Sequence, residues 1–187
     1  MDGPSSPAAG GAFTGGTAEC GVFRGATFYL ICAANRQSPA GTKTHHLFDS
    51  FEGLSEPAAS DGVHWSKENL RSGIEEVRRA LSEFENVEFH KGWISSRFQD
   101  IADRKFSSLH IDVDLTEPTG DSLIFFYPRM EKGGIILCDD YGFSTGPGAM
   151  RSIDQFLADK PEKMLALPHG GGFLIVNAPT AKSTPLP

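Results

Sequence analysis

The sequence predicts a doubly wound α/β domain built on a mostly parallel sheet. From Thr17 onward, short apolar or β-branched runs alternate with segments of helical period, which is the pattern of βαβ units. Two of the apolar runs end in acidic clusters, Ile111-Asp112-Val113-Asp114 and Cys138-Asp139-Asp140. Adjacent parallel strands present their carboxyl ends to one crevice, so these four carboxylates are expected to converge there. Converging carboxylates pack poorly and suit a divalent cation.

The elements follow in chain order. Residues 1–16 are rich in Gly, Ala, Ser and Pro and cannot bury enough apolar surface to offset ordering entropy, so a disordered arm is expected. The domain then runs over 17–178, with a polar, Pro-containing flexible tail at 179–187. A first strand is expected over Thr17–Val22, a helix over Arg24–Asn35 and a second strand over His45–Ser50. Glu52–Ser66 has little periodicity and reads as a long surface loop, a candidate lid. Leu70, Ile74, Val77, Leu81 and Phe84 recur at steps of four and three, which predicts a helix capped by Ser66, with Glu75 and Arg79 paired on its solvent side. Strands are expected over Val87–His90, Phe106–Asp112 and Gly134–Asp139. Between the last two, Pro118 and Gly120 punctuate a turn before a short helix over Asp121–Tyr127. A helix over Gly148–Asp159 and a hairpin of Met164–Leu167 with Gly172–Asn177 complete the domain.

Composition narrows the function. The 187 residues suffice for one domain with a sizeable core, and the formal charge of -7 disfavours binding to a phosphate backbone, so no nucleic-acid partner is expected. No apolar run approaches the roughly 18 residues that suggest a membrane span, and the start lacks the basic and apolar regions of a signal peptide. The expected address is cytoplasmic, with no membrane partner. Cys20, Cys32 and Cys138 have no metal-type spacing and read as small buried hydrophobes.

Gly21 and Gly25 make a Gly-x-x-x-Gly loop between the first strand and its helix, unlike the longer dinucleotide fingerprint. Asp49 ends the second strand, where a carboxylate can accept hydrogen bonds from both hydroxyls of a ribose; capping a turn is the competing role. A loop with no phosphate to cradle points to an adenosyl ligand with another kind of tail, of which S-adenosylmethionine is the common one.

Glu19-Cys20-Gly21-Val22-Phe23-Arg24-Gly25, Leu47-Phe48-Asp49-Ser50-Phe51-Glu52-Gly53-Leu54, His90-Lys91-Gly92-Trp93, Leu109 to Leu115 and Gly133 to Gly142 resemble, in order and spacing, the macrocin O-methyltransferase family. The resemblance covers roughly residues 17–178. It implies a Rossmann-like class I methyltransferase fold, a doubly wound seven-stranded sheet with an antiparallel last strand. It also implies methyl transfer from S-adenosylmethionine to a sugar or other small natural-product hydroxyl, assisted by a divalent metal. Glu19, Cys20, Gly21 and Gly25 would surround the methionine portion, Asp49 the ribose, Ser50 and Phe51 the ribose and adenine edge, and Gly92 with Trp93 the adenine; Asp112 would also touch the cofactor. Two departures stand out. The family's usual helical sequence before the first strand is here a low-complexity arm, so the acceptor pocket is expected to be open, completed by a partner subunit, or lost. Thr116 stands where relatives commonly carry Tyr.

A sugar hydroxyl is a reluctant nucleophile at neutral pH, and metal coordination lowers its pKa and fixes its position. Oxygen donors suit Mg2+ or Mn2+ rather than zinc. Asp112, Asp139 and Asp140 are the expected metal ligands, with Asp114 a competitor for the first position. Either Asp112 or Asp114 is a candidate general base, because a carboxylate that is not a ligand has its pKa raised by its neighbours. His169, before Gly170-Gly171-Gly172, is a further candidate; His45, His46 and His110 read as packed, hydrogen-bonded residues. The expected partner is a small hydroxyl acceptor, with a homo-oligomer possible. A catechol-like phenol acceptor and a catalytically silent cofactor-binding subunit are the competing readings.

Overall fold

The computed structural model describes residues 13–36 and 43–177. The expected disorder of residues 1–12 and 179–187 lies outside them. Thr14 and Gly15, assigned to the arm, both hydrogen-bond Glu131 at 2.9 Å, and Gly16 already belongs to the first strand.

The chain forms β1 (Gly16–Cys20), α1 (Ala26–Arg36), β2 (His45–Asp49), α2 (Ile74–Ala80), β3 (Val87–Lys91), β4 (Phe106–Ile111), α3 (Thr116–Phe126), β5 (Met130–Cys138), α4 (Pro147–Phe156), β6 (Leu165–Ala166) and β7 (Gly172–Ile175). One seven-stranded sheet has the order β3-β2-β1-β4-β5-β7-β6, parallel from β3 through β5, with β7 antiparallel to both its neighbours. The expected doubly wound architecture with an antiparallel last strand is present. Strand order reverses between β1 and β4, the kind of switch point where open α/β sheets bind ligands.

Alternating side chains divide the core between two faces. Leu47 and Phe51 meet Phe28 and Cys32 of α1 and Val77 of α2 on one side. On the other, Phe48, Leu109, Ile111 and Ile136 meet Leu123 and Phe126 of α3 and Ile153 of α4. All three cysteines are free and buried. No helix among the described residues is long and apolar enough to cross a membrane.

The starts of two helices depart from expectation. The helix expected to start near Ser66 begins at Ile74, because Ser72-Gly73 breaks it; Leu70 has a φ of 59° and faces away from the stripe that Val77 and Leu81 bury. Ser66 instead exchanges hydrogen bonds with Asn69, and Glu75 pairs with Arg78 rather than Arg79. The turn expected at Pro118 and Gly120 lies inside α3: proline fits a first helical turn, whose backbone N–H groups have no partner to lose.

Candidate active site

The carboxyl ends of β1, β2 and β4 open onto a cavity of about 400 Å³ whose wall includes Gly21, Asp49, Ser50, Trp93, Asp112 and Asp114. That volume falls in the range of small-molecule and cofactor sites. The backbone builds this concavity at close quarters. Gly21 has a φ of 84°, and a Cβ there would stand 1.7 Å from the Asp112 carbonyl oxygen, so only glycine lets β1 and β4 deliver their ends to the same point. At Gly25, with a φ of 78°, a Cβ would stand 3.0 Å from Val77 Cγ1 of α2; this glycine does not line the cavity. Phe23, Leu70, Ser95 and Asp114 all line it with positive φ, a conformation rare outside glycine that concentrates at functional sites.

Asp49 both lines the cavity and shapes it. Its carboxylate accepts hydrogen bonds from the backbone N–H of Val22 at 2.7 Å, Phe23 at 3.2 Å and Phe51 at 2.5 Å, tying the β1 loop to the end of β2. The capping role is therefore real, and a carboxylate with about four acceptor positions retains room for a ribose hydroxyl. Ser50 donates to the Gly53 carbonyl and accepts from Glu52, fixing the next turn. Phe51 is buried against α1 and α2 and supports the wall from behind. Trp93, after Gly92, lines the cavity and stands 45% exposed.

Glu19 and Cys20 lie outside the cavity wall, buried in β1. The Glu19 carboxylate meets His110 Nδ1 of β4 at 2.7 Å. Burial opposes a charge on His110, but the Glu19 bond and the fields of Asp112 and Asp139 raise its pKa above the ordinary value. His45, bonded to Thr17 at 2.5 Å, and His46 are packed.

Asp112, Asp114 and Asp140 each offer an oxygen, with all three atoms within 4.8 Å of one another. The register explains this: Ile111 and Cys138 are paired ends of β4 and β5, Asp112 N–H bonds the Cys20 carbonyl, and Asp114 N–H donates to Asp140 at 2.8 Å. Burial first, then Asp140, pushes the Asp112 carboxyl up to about 7; burial with Asp140 and Asp112 pushes Asp114 up to about 8. Burial also raises Asp140, against the hydrogen bonds from Asp114. Three oxygen donors that resist ionising together fit a hard divalent cation such as Mg2+ or Mn2+, whose charge would relieve them. Asp139 adjoins this triple with an exposed side chain. His169 is exposed in the turn before Gly170 and Gly171, which pack against Phe143 and the Asp139 backbone, and it does not line the cavity.

Sequence reasoning passed over Leu54, Leu70, Ile94, Glu117 and Asp121, which also line the wall. Leu70 was hidden by its four-residue step from Ile74; Glu117 and Asp121 share a face of a helix whose first turn was read as a bend. Asp61 was also missed. Buried in the Glu52–Ser66 loop, it accepts from the N–H of Ala58 at 2.8 Å and of Thr116 at 2.7 Å, and from the Thr116 hydroxyl, so the middle of that loop is pinned to α3.

Residues 9–164 match the macrocin-O-methyltransferase (TylF) family. The chain belongs to this family. Among curated relatives, it is 28% identical over 171 residues to demethyldecarbamoylnovobiocin O-methyltransferase of Streptomyces niveus, covering 84% of this chain and 64% of that protein. It is also 28% identical over 142 residues to the 8-demethyl-8-(2,3-dimethoxy-alpha-L-rhamnosyl)-tetracenomycin-C 4'-O-methyltransferase of Streptomyces olivaceus, covering 70% and 54%. The chain thus spans just over half to just under two thirds of these relatives' lengths. The solved structure of the O-methyltransferase NovP superposes with a TM-score of 0.77 at 27% identity, over 87% of this chain and 72% of that one. The calicheamicin methyltransferase CalS11 shares the fold, with a TM-score of 0.71 at 20% identity over 86% and 72%.

Proposed function

We propose that this macrocin O-methyltransferase family member transfers a methyl group from S-adenosylmethionine to a hydroxyl of a sugar or other small natural-product acceptor, with a divalent cation on Asp112 and Asp140 and Asp114 beside them as general base. The observation that carries the reading is the meeting of those three carboxylates at the wall of a cavity floored by Gly21 and flanked by Asp49. The named activities of the relatives, O-methylation in novobiocin- and tetracenomycin-type compounds, support the acceptor class.

In this reading the sulfonium lies over the β1–β4 switch point. Asp49 meets the ribose, and Trp93 with Ile94 flanks the adenine. A bound Mg2+ or Mn2+ would lower the pKa of a coordinated acceptor hydroxyl. Asp112 and Asp140 would hold the cation. Asp114, the third carboxylate within reach, has a raised pKa that makes its ionised form a strong base, and it is positioned to take the acceptor proton as the methyl moves in line from sulfur to oxygen. Asp139, exposed and outside the group of three carboxylates that meet, has no ligand role in this reading. His169 would reach the acceptor only from outside the wall.

The test is methyl transfer from labelled S-adenosylmethionine to a panel of glycosylated polyketides, free sugars and catechols, with and without Mg2+. Cation-dependent labelling of a sugar-bearing acceptor is expected, and Asp114→Asn should lose at least about 100-fold in kcat, the usual scale of a lost general base. Cofactor binding without transfer to any acceptor would favour a silent subunit; labelling of catechols alone would reassign the acceptor.

A further inference from the structure

We infer that the β2–β3 edge of the sheet carries a second metal site, separate from the carboxylate cluster, which takes a zinc-type ion on His46 Nδ1, His90 Nε2 and Glu88 Oε2. In the parallel register His46 faces Glu88 and Phe48 faces His90, so all three ligands rise from one face of the two strands. Their ligand atoms stand 3.1 Å apart for the two imidazoles, 3.3 Å for His46 and Glu88, and 3.9 Å for His90 and Glu88. A tetrahedral ion with bonds of about 2.0–2.1 Å holds its ligand atoms about 3.3 Å apart, so small shifts close this triangle around one ion.

The surroundings have the form of a ligand shell. His90 stacks on Phe48 at 4.3 Å, nearly parallel, which fixes its ring. Its other nitrogen, Nδ1, faces Asp100 Oδ2 at 3.6 Å, and Arg97 anchors that carboxylate at 2.7 Å. A carboxylate behind a ligating imidazole is the usual outer partner of a metal-bound histidine. The imidazole side chains are 4% and 9% exposed, while Glu88 is 53% exposed, which leaves the fourth position to water. Burial lowers the pKa of both rings, aided for His46 by His90 and Arg104 and opposed for His90 by Asp100 and Glu88. Two nitrogens and one oxygen favour zinc and its transition-metal neighbours over magnesium. In the metal-free protein the 3.1 Å contact is a hydrogen bond between the rings. With the ion bound, β3 is tied to β2 just ahead of Gly92-Trp93, and the ion braces the cavity wall through the edge strand.

The chelator-treated 187-residue chain should be titrated with Zn2+ and with Co2+, in wild type and in Asp140→Asn, which removes one donor of the carboxylate cluster. One tight Zn2+ equivalent is expected in both, with visible Co2+ bands of nitrogen coordination and a Zn2+-dependent rise in Tm. Glu88→Gln, which alters an exposed side chain, and His90→Gln, checked by circular dichroism for folding, should lose the tight site and its Co2+ spectrum. Asp100→Asn should bind Zn2+ about 10–100-fold more weakly. Absence of tight Zn2+ binding in wild type, or unchanged affinity in folded Glu88→Gln and His90→Gln, would overturn the site.

Discussion

Asp112 and Asp114 resist ionisation because their strand ends bury them and because Asp140 stands beside both. Replacing one member of the triple separates their roles. Asp140→Asn should abolish tight Mg2+ binding while leaving the cofactor cavity intact, whereas Asp114→Asn should retain cation binding and lose turnover; calorimetry beside a transfer assay distinguishes them. Gly21→Ala is expected to be far more damaging. The left-handed backbone alone costs about 1–2 kcal/mol for a residue with a Cβ, and the new methyl would strike the Asp112 carbonyl at 1.7 Å. A Tm depressed by several degrees, with cofactor binding lost, is the expected result; an unchanged Tm would mean that the loop relaxes freely.

At the scale of elements, the parallel strands and the two acidic clusters are legible in the sequence because an apolar run followed by Asp has few other readings in a doubly wound sheet. Short helices are less legible. The stripe from Leu70 to Phe84 reads as one helix, yet only its middle is helical, because side-chain period carries no record of the break at Ser72-Gly73. The His46–Glu88–His90 cluster is likewise invisible, since His46 and His90 lie 44 residues apart and meet only through the β2–β3 register. The Asp61 brace is a contact of the same kind between a loop and a helix start. Asp61→Ala would remove the acceptor of the part-buried hydrogen bonds from the backbone N–H groups of Ala58 and Thr116 and loosen the loop from α3. Urea unfolding should show a loss of stability, and protease should cut the Glu52–Ser66 loop faster; unchanged cleavage would show that the loop is held by other contacts.

At the scale of the whole molecule, the buried acids make stability depend on pH. Asp112 and Asp114 have folded pKa values of about 7 and about 8, against about 3.9 in an unfolded chain, so the folded form binds more protons between those limits and their contribution falls as pH rises. His45 and His46 act oppositely: lowered to about 4 by burial, they add stability as pH rises from 4 toward 6.5. The two trends offset below about pH 6.5 and leave a net loss from there to about pH 8. Metal-free protein should therefore melt lower at pH 8 than at pH 6. A divalent cation on the acidic triple should raise Tm more at the higher pH, and its binding should release protons.

Mg2+ titration by calorimetry into the chain saturated with S-adenosylhomocysteine, in wild type and Asp140→Asn, tests the central claim most directly. One cation bound by wild type, with proton uptake by the buffer, and none by the variant is the predicted result. Equal Mg2+ binding by the two proteins, or none by a folded wild type that holds the cofactor product, would contradict a metal-assisted methyl transfer at these carboxylates.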